Sequence, residues 1–168
     1  MENPIAIANY FISKSLATAE ELTPMKLIKL VYISHGWYLA ITNEPLLSEG
    51  VQAWKYGPVV NSVYRGTKKF GKGQVTELLF DTRTMSFPLP TDPQIIALLE
   101  RIWAVYGKYN GLELSALTHQ DGTPWDITWN VRHGKSLNAV VISNDLIKDH
   151  YRSKLNPTAN GQPADHLN

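Results

Sequence analysis

A chain of 168 residues with 43% hydrophobic and 18% charged side chains has the apolar content of one well-packed domain, which excludes wholesale disorder. Its 16 basic and 15 acidic residues leave a net charge of +1, so no general field holds nucleic acid or an anionic membrane, although a local patch is allowed. With no cysteine, disulfides, thiolate zinc sites and thiol nucleophiles are ruled out.

Asn3-Pro4 is a helix start, a side-chain cap followed by a residue with no amide to lose. Ile5, Ala8, Ile12 and Leu16 then repeat at helical spacing, widened by Tyr10 and Phe11. Thr23-Pro24 opens a second helix by the same device. At 100° per residue Leu27, Leu30, Val31, Ser34, Trp37, Tyr38 and Ile41 share one face, and Met25, Ile28, Tyr32 and Leu39 cover much of the rest. A helix apolar nearly all round is a buried one. Lys26 and Lys29 are the charged groups on its one narrow strip. After Ile41 the residues Thr42-Asn43-Glu44-Pro45 stop it, since Pro45 disfavours helical geometry at Glu44.

Leu46 to Trp54 reads as a loop with a short extended piece. Gly57-Pro58 reads as the start of an amphipathic surface helix, with Val59, Val63, Thr67 and Phe70 inward and Asn61, Arg65, Lys68 and Lys69 outward, ended by Gly71 to Gly73. Val75 to Phe80 and Met85 to Leu89 are expected to pair as a small two-stranded element. Asp92-Pro93 begins another helix, buried through Ile95, Leu98, Leu99, Ile102 and Tyr106 and stopped at Gly107. Leu112 to His119 reads as a short helix, Thr123 to Asp126 as a capping-box start, and Ser143 to Leu155 as the last helix. Residues 156–168 have the composition of a disordered tail. The expected fold is therefore mainly α: a single-domain helical bundle over residues 1–155 around a central buried helix at about 24–41, with allowance for a small β-hairpin.

No apolar run approaches the ~20 residues of a membrane span, and no leader pattern opens the chain, so a cytoplasmic protein without membrane attachment is expected. The histidines form no metal-ligand spacing, and Gly71-Lys72-Gly73 is a helix stop rather than a phosphate cradle, because no helix opens directly after it. His35 is read as a core histidine bonded to a backbone carbonyl. His119 has two readings: a general base oriented by Asp121 or Asp126 and acting on Ser115 or Thr118, or a cap on the last carbonyls of its helix. The cap is the simpler. Arg65, Lys68, Lys69 and Lys72 form a basic patch, either a solvated face or a docking surface. A helix-turn-helix reader is disfavoured because the second helix has almost no polar face for base edges.

Three blocks carry a family resemblance: Leu22-Thr23-Pro24-Met25-Lys26-Leu27-Ile28-Lys29-Leu30-Val31-Tyr32 continuing through Gly36 to Ala40, Ala53-Trp54-Lys55-Tyr56-Gly57-Pro58-Val59-Val60, and Leu114-Ser115-Ala116-Leu117-Thr118-His119 with Pro124-Trp125. On these the sequence resembles the SocA-like antitoxins, the Panacea domain family, also met as phage-associated GepA-like proteins. The family often has Gln where Ile28 stands here. The resemblance implies an antitoxin that neutralises a cognate protein toxin, encoded by an adjacent gene in settings such as prophages, by direct protein–protein binding. Toxins of this family include small alarmone-synthetase-like enzymes. Alternatives are an adaptor delivering the toxin to a Clp-type protease, or a DNA-binding regulator of its operon through Arg65, Lys68 and Lys69. No catalytic residue, metal or cofactor carries over, so the chain is not expected to be an enzyme. The partner surface is expected on Lys55, Tyr56, Arg65, Lys68, Lys69 and His119.

Overall fold

The computed structural model describes residues 1–156, so the expectation for the tail lies, from 157 on, outside the described residues. In chain order the elements are α1 (Pro4–Thr18), α2 (Pro24–Thr42), β1 (Gln52–Trp54), β2 (Gly57–Val59) and α3 (Asn61–Thr67). Then follow α4 (Pro93–Tyr106), α5 (Gly111–Thr118), the single turn α6 (Pro124–Asp126), β3 (Val140–Val141) and α7 (Asn144–Leu155). The fold is mainly α with one small antiparallel sheet, order β2-β1-β3.

The cap-plus-proline starts form as expected. Asn3, Thr23 and Asp92 each accept an amide from the first turn of α1, α2 and α4. α2 is the centre, packed against α1, α4, α5, α7 and β2, and every residue from Lys26 to Trp37 is buried. One expectation for it fails: Ile41, assigned to the inner face, is 57% exposed in a last turn that also carries the exposed Thr42 and Asn43. Lys26 and Lys29, on the narrow strip, are both buried, because α5 and β2 cover the side the periodicity leaves free.

The stretch 57–59 is not the start of a helix. It is β2, which pairs with β1 in the register Gln52↔Val59, Ala53↔Pro58, Trp54↔Gly57. Pro58 is tolerated because β2 is an edge strand, where no second partner asks for its missing amide, and Gly57 has φ +108, a value no helix uses. The surface helix begins at Asn61, with the Glu49 carboxylate accepting from Ser62 N at 2.9 Å. It ends in a tighter 3₁₀ turn, Lys68–Phe70. The hairpin is thus displaced from where the sequence suggests: residues 75–89 form only the isolated bridge Asp81↔Ser86. Buried Asn9 ties that segment down instead, donating to Leu79 O and Pro88 O and accepting from Leu79 N.

α7 closes the bundle by laying Tyr151 on α2. Its ring lies edge-on to Trp37 at 5.3 Å and to Tyr32 at 6.1 Å, and a methyl group at Gly36 would overlap it. Trp37 Nε1 donates to Tyr106 Oη at 3.0 Å. His35 is a core histidine, but its partners differ from the backbone carbonyl expected. Leu47 N–H donates to Nδ1, and Nε2 lies 2.9 Å from Asn144 Oδ1, which sets the neutral Nε2–H tautomer. Burial lowers its pKa, partly offset by the bond to Asn144. Among the described residues no helix is long and apolar enough to cross a membrane.

A hairpin tip held from three sides

The β1–β2 hairpin turns through Lys55 and Tyr56. Two-residue hairpin loops favour positive φ at the loop residues themselves, yet neither Lys55 nor Tyr56 adopts it, and the reversal is taken up at Gly57. The turn is instead supported from outside. Trp125 Nε1, on α6, donates to Trp54 O at 2.7 Å. Ser115 Oγ, on α5, donates to Tyr56 O at 3.0 Å. Lys29 Nζ, on α2, donates to Pro58 O at 2.9 Å. Three alternate carbonyls are thus each held by a side chain from a different helix; the hairpin is the second of the sequence blocks that carry the family resemblance, and its three donors come from the other two.

Lys29 is the unusual member. It is 2% exposed, and among the described residues no carboxylate pairs with it. Burial disfavours its charged form and lowers its pKa to about 7. Lys26, one turn earlier, is buried as well. It donates to Gly107 O at 2.5 Å and lies over the Trp103 ring at 5.3 Å. Its pKa is lowered by burial, against the opposing pull of Glu20 and Glu21.

The expected surface residues divide into two groups. Lys55 and Tyr56 sit at the tip, both exposed, with Lys55 Nζ 5.3 Å from the Tyr56 ring centroid. Trp54 is half-buried while Lys55 and Tyr56 both point outward, because residues 55 and 56 are the turn itself. His119 adjoins them from α5: it lies edge-on to Trp125 at 4.3 Å, and its Nδ1–H donates to Ser115 O at 3.1 Å, the capping role. The hydroxyls of Ser115 and Thr118 are already committed to carbonyls. Asp126 accepts from Gly122 N and Asn130 Nδ2, which hold its pKa down, the Asn130 bond most. Arg65, Lys68 and Lys69 lie apart on α3 and its last turn, joined to the hairpin through Tyr64, whose ring packs on Trp54 at 4.7 Å. Lys69 is paired with Glu77.

Sequence reasoning passed over Lys29, Ser115 and Trp125 as parts of one site. For Lys29 a signal existed: a charged residue on a helix without a polar face has to be buried. A groove of about 330 Å³ opens beside the tip, between Trp54, Lys55, Trp129, Lys135 and Leu137. A second hollow, about 240 Å³, lies near Lys26 between Glu20 and Gly111. No group of three His, Asp or Glu side chains among the described residues could hold a metal ion.

Comparison with known proteins matches residues 27–126 to the family described as antitoxin SocA-like, Panacea domain. Antitoxin SocA of Caulobacter vibrioides (strain NA1000 / CB15N) is 29% identical over 155 residues, 88% of this chain and 81% of that protein. No solved structure matches. The matched span contains the hairpin and all three of its donors.

Proposed function

The chain belongs to the SocA-like antitoxin, Panacea domain family, and we propose that it is an antitoxin that neutralises a cognate protein toxin by direct binding, with the hairpin tip as its principal contact. Family membership supports the antitoxin role. The observation that carries the mechanism is Tyr56: a large aromatic, 62% exposed, on a turn whose backbone is fixed by three other elements. Aromatic side chains on preorganised backbone are favoured interface anchors, since little flexibility is lost on binding. Lys55 beside it adds a charge that steers encounter.

The test is co-expression with the product of the adjacent gene. Wild-type protein protects cells and co-purifies with that product, whereas Lys55→Ala/Tyr56→Ala, with an unchanged unfolding midpoint, fails to do both. Full protection by the double variant would overturn the assigned contact, and absence of protection by wild type would overturn the antitoxin reading. Operon regulation through Arg65, Lys68 and Lys69 gains less support, because Glu77 already neutralises part of that patch.

A further inference from the structure

Beside the tip, β1 and β3 pair only at Gln52↔Val141 and Ala53↔Val140. Ala139 then takes φ 55 and carries the chain away from β1, so the two strands part and leave the groove between them. Its floor and walls are the half-buried indoles of Trp54 and Trp129 with the exposed Leu137, and its rim holds Lys55 and Lys135. No acidic residue lines it. The walls are supported from behind: Trp129 stacks on Trp125 at 5.9 Å and 19°, Trp54 is braced by Tyr64, and Trp54 Nε1 is held by Gln52 Oε1 at 2.9 Å. Like the tip, the groove is preformed.

We propose that this groove receives a short acidic segment of the partner protein, with one aromatic or large aliphatic anchor seated between Trp54 and Trp129 and carboxylates on either side meeting Lys55 and Lys135. The proposal rests on the antitoxin reading and names the chemistry of the partner at the same surface. Charge complementarity selects the sign: an apolar cleft bordered by ammonium groups alone attracts carboxylates and repels a basic segment. Size selects the occupant. A volume of about 330 Å³ is at the lower end of small-molecule pockets and suits one large side chain with its flanks. A single-stranded nucleic acid would need a cationic track and several open aromatic faces. Here one face of Trp129 is taken by Trp125 and Trp54 is packed on Tyr64.

The experiment uses the full chain labelled with ¹⁵N and four probes: acetylated, amidated peptides Glu-Asp-Phe-Glu-Asp, Glu-Asp-Ala-Glu-Asp and Lys-Lys-Phe-Lys-Lys, and a thymidine hexanucleotide. Indole resonances are assigned with Trp54→Phe and Trp129→Phe. The expected result is that the acidic phenylalanine peptide shifts resonances of residues 53–55 and 129–139, while the other three probes bind at least roughly tenfold more weakly. Lys55→Glu/Lys135→Glu loses that peptide by roughly tenfold or more, and Lys108→Glu/Lys148→Glu, the same charge change elsewhere, does not. Absence of shifts at millimolar acidic peptide overturns the proposal, as does equal binding of the lysine or alanine peptide or preference for the oligonucleotide. The same variants are tested for complex formation with the adjacent gene product. A complex that survives Lys55→Glu/Lys135→Glu at full affinity sinks the groove assignment and removes Lys55 from the tip contact, which then rests on Tyr56, while leaving the antitoxin reading in place. Failure of the wild-type protein to form any complex sinks the antitoxin reading, and the peptide result then decides the groove's chemistry by itself.

Discussion

Lys29 Nζ and Gly57 occupy adjoining space so closely that a Cβ on residue 57 would lie 2.7 Å from the amine. The glycine is required twice, for the close approach and for its φ of +108. Gly57→Ala is expected to cost about 1–3 kcal/mol from backbone strain and more from the contact, read as a lower urea midpoint. In Lys29→Leu, which removes the amine, the same change costs less. Simple additivity of the two substitutions would show that the contact contributes nothing.

The Lys29 amine also sets a pH dependence. Its pKa is about 7 in the folded chain and ~10.4 when unfolded. Between these values the unfolded chain binds the extra proton, so this amine makes stability rise with pH by up to about 1.4 kcal/mol per unit, a contribution that flattens below neutrality. Lys26, lowered in the same direction, adds slope of the same sign. Near pH ~10 Tyr32 and Tyr151 begin to oppose the rise, since burial keeps them protonated after the unfolded chain has ionised. Urea midpoints at neutral and at mildly alkaline pH are expected to climb in the wild type and to climb less in Lys29→Leu. A wild-type profile without slope would rule out an uncompensated buried amine.

Removing a donor loosens the hairpin without touching its exposed side chains. Ser115→Ala strips Tyr56 O of its hydroxyl and Trp125→Phe strips Trp54 O of its indole N–H, each at about 1–3 kcal/mol if the carbonyl stays unpaired. Amide exchange across residues 52–59 is expected to accelerate more than global stability falls. Protection against the toxin should weaken in step. Unchanged exchange in both variants would mean that the turn holds itself.

Gly36→Ala tests the seat of α7. The new methyl overlaps the Tyr151 ring, so the helix shifts or the ring leaves its contacts with Tyr32 and Trp37, an overpacking cost of about 1–3 kcal/mol. Near-ultraviolet circular dichroism should report the loss of aromatic order. Tyr151→Leu in the same chain should recover part of the stability lost.

The helix starts were legible because they are local: a cap residue followed by proline marks α1, α2 and α4 within four residues of sequence. Gly57-Pro58 looks like the same signal and is used differently. Whether Pro58 opens a helix or sits in an edge strand depends on Gln52 to Trp54 pairing with it. Periodicity does not encode that. It does encode that α2 is covered on all sides, and the burial of Lys26 and Lys29 follows once that is taken at face value. The partners of His35 lie at Leu47 and at Asn144, the latter 109 residues away, and no spacing rule reaches so far. The groove was illegible for the same reason. Trp129, Lys135 and Leu137 lie in a stretch of π and 3₁₀ turns with no repeating apolar pattern, and it takes the pairing of β3 with β1 and the bond from Trp125 to Trp54 O to bring them to Trp54.

A turn anchored through its carbonyls has no need of particular side chains at its apex. Among the described residues neither Lys55 nor Tyr56 makes a side-chain hydrogen bond to the body of the protein, and Trp125, Ser115 and Lys29 grip atoms that any residue would supply. Positions 55 and 56 can therefore be exchanged together while the framework stays folded. That makes the hairpin a natural place to retarget the protein: a two-position library there would vary specificity and leave stability almost flat.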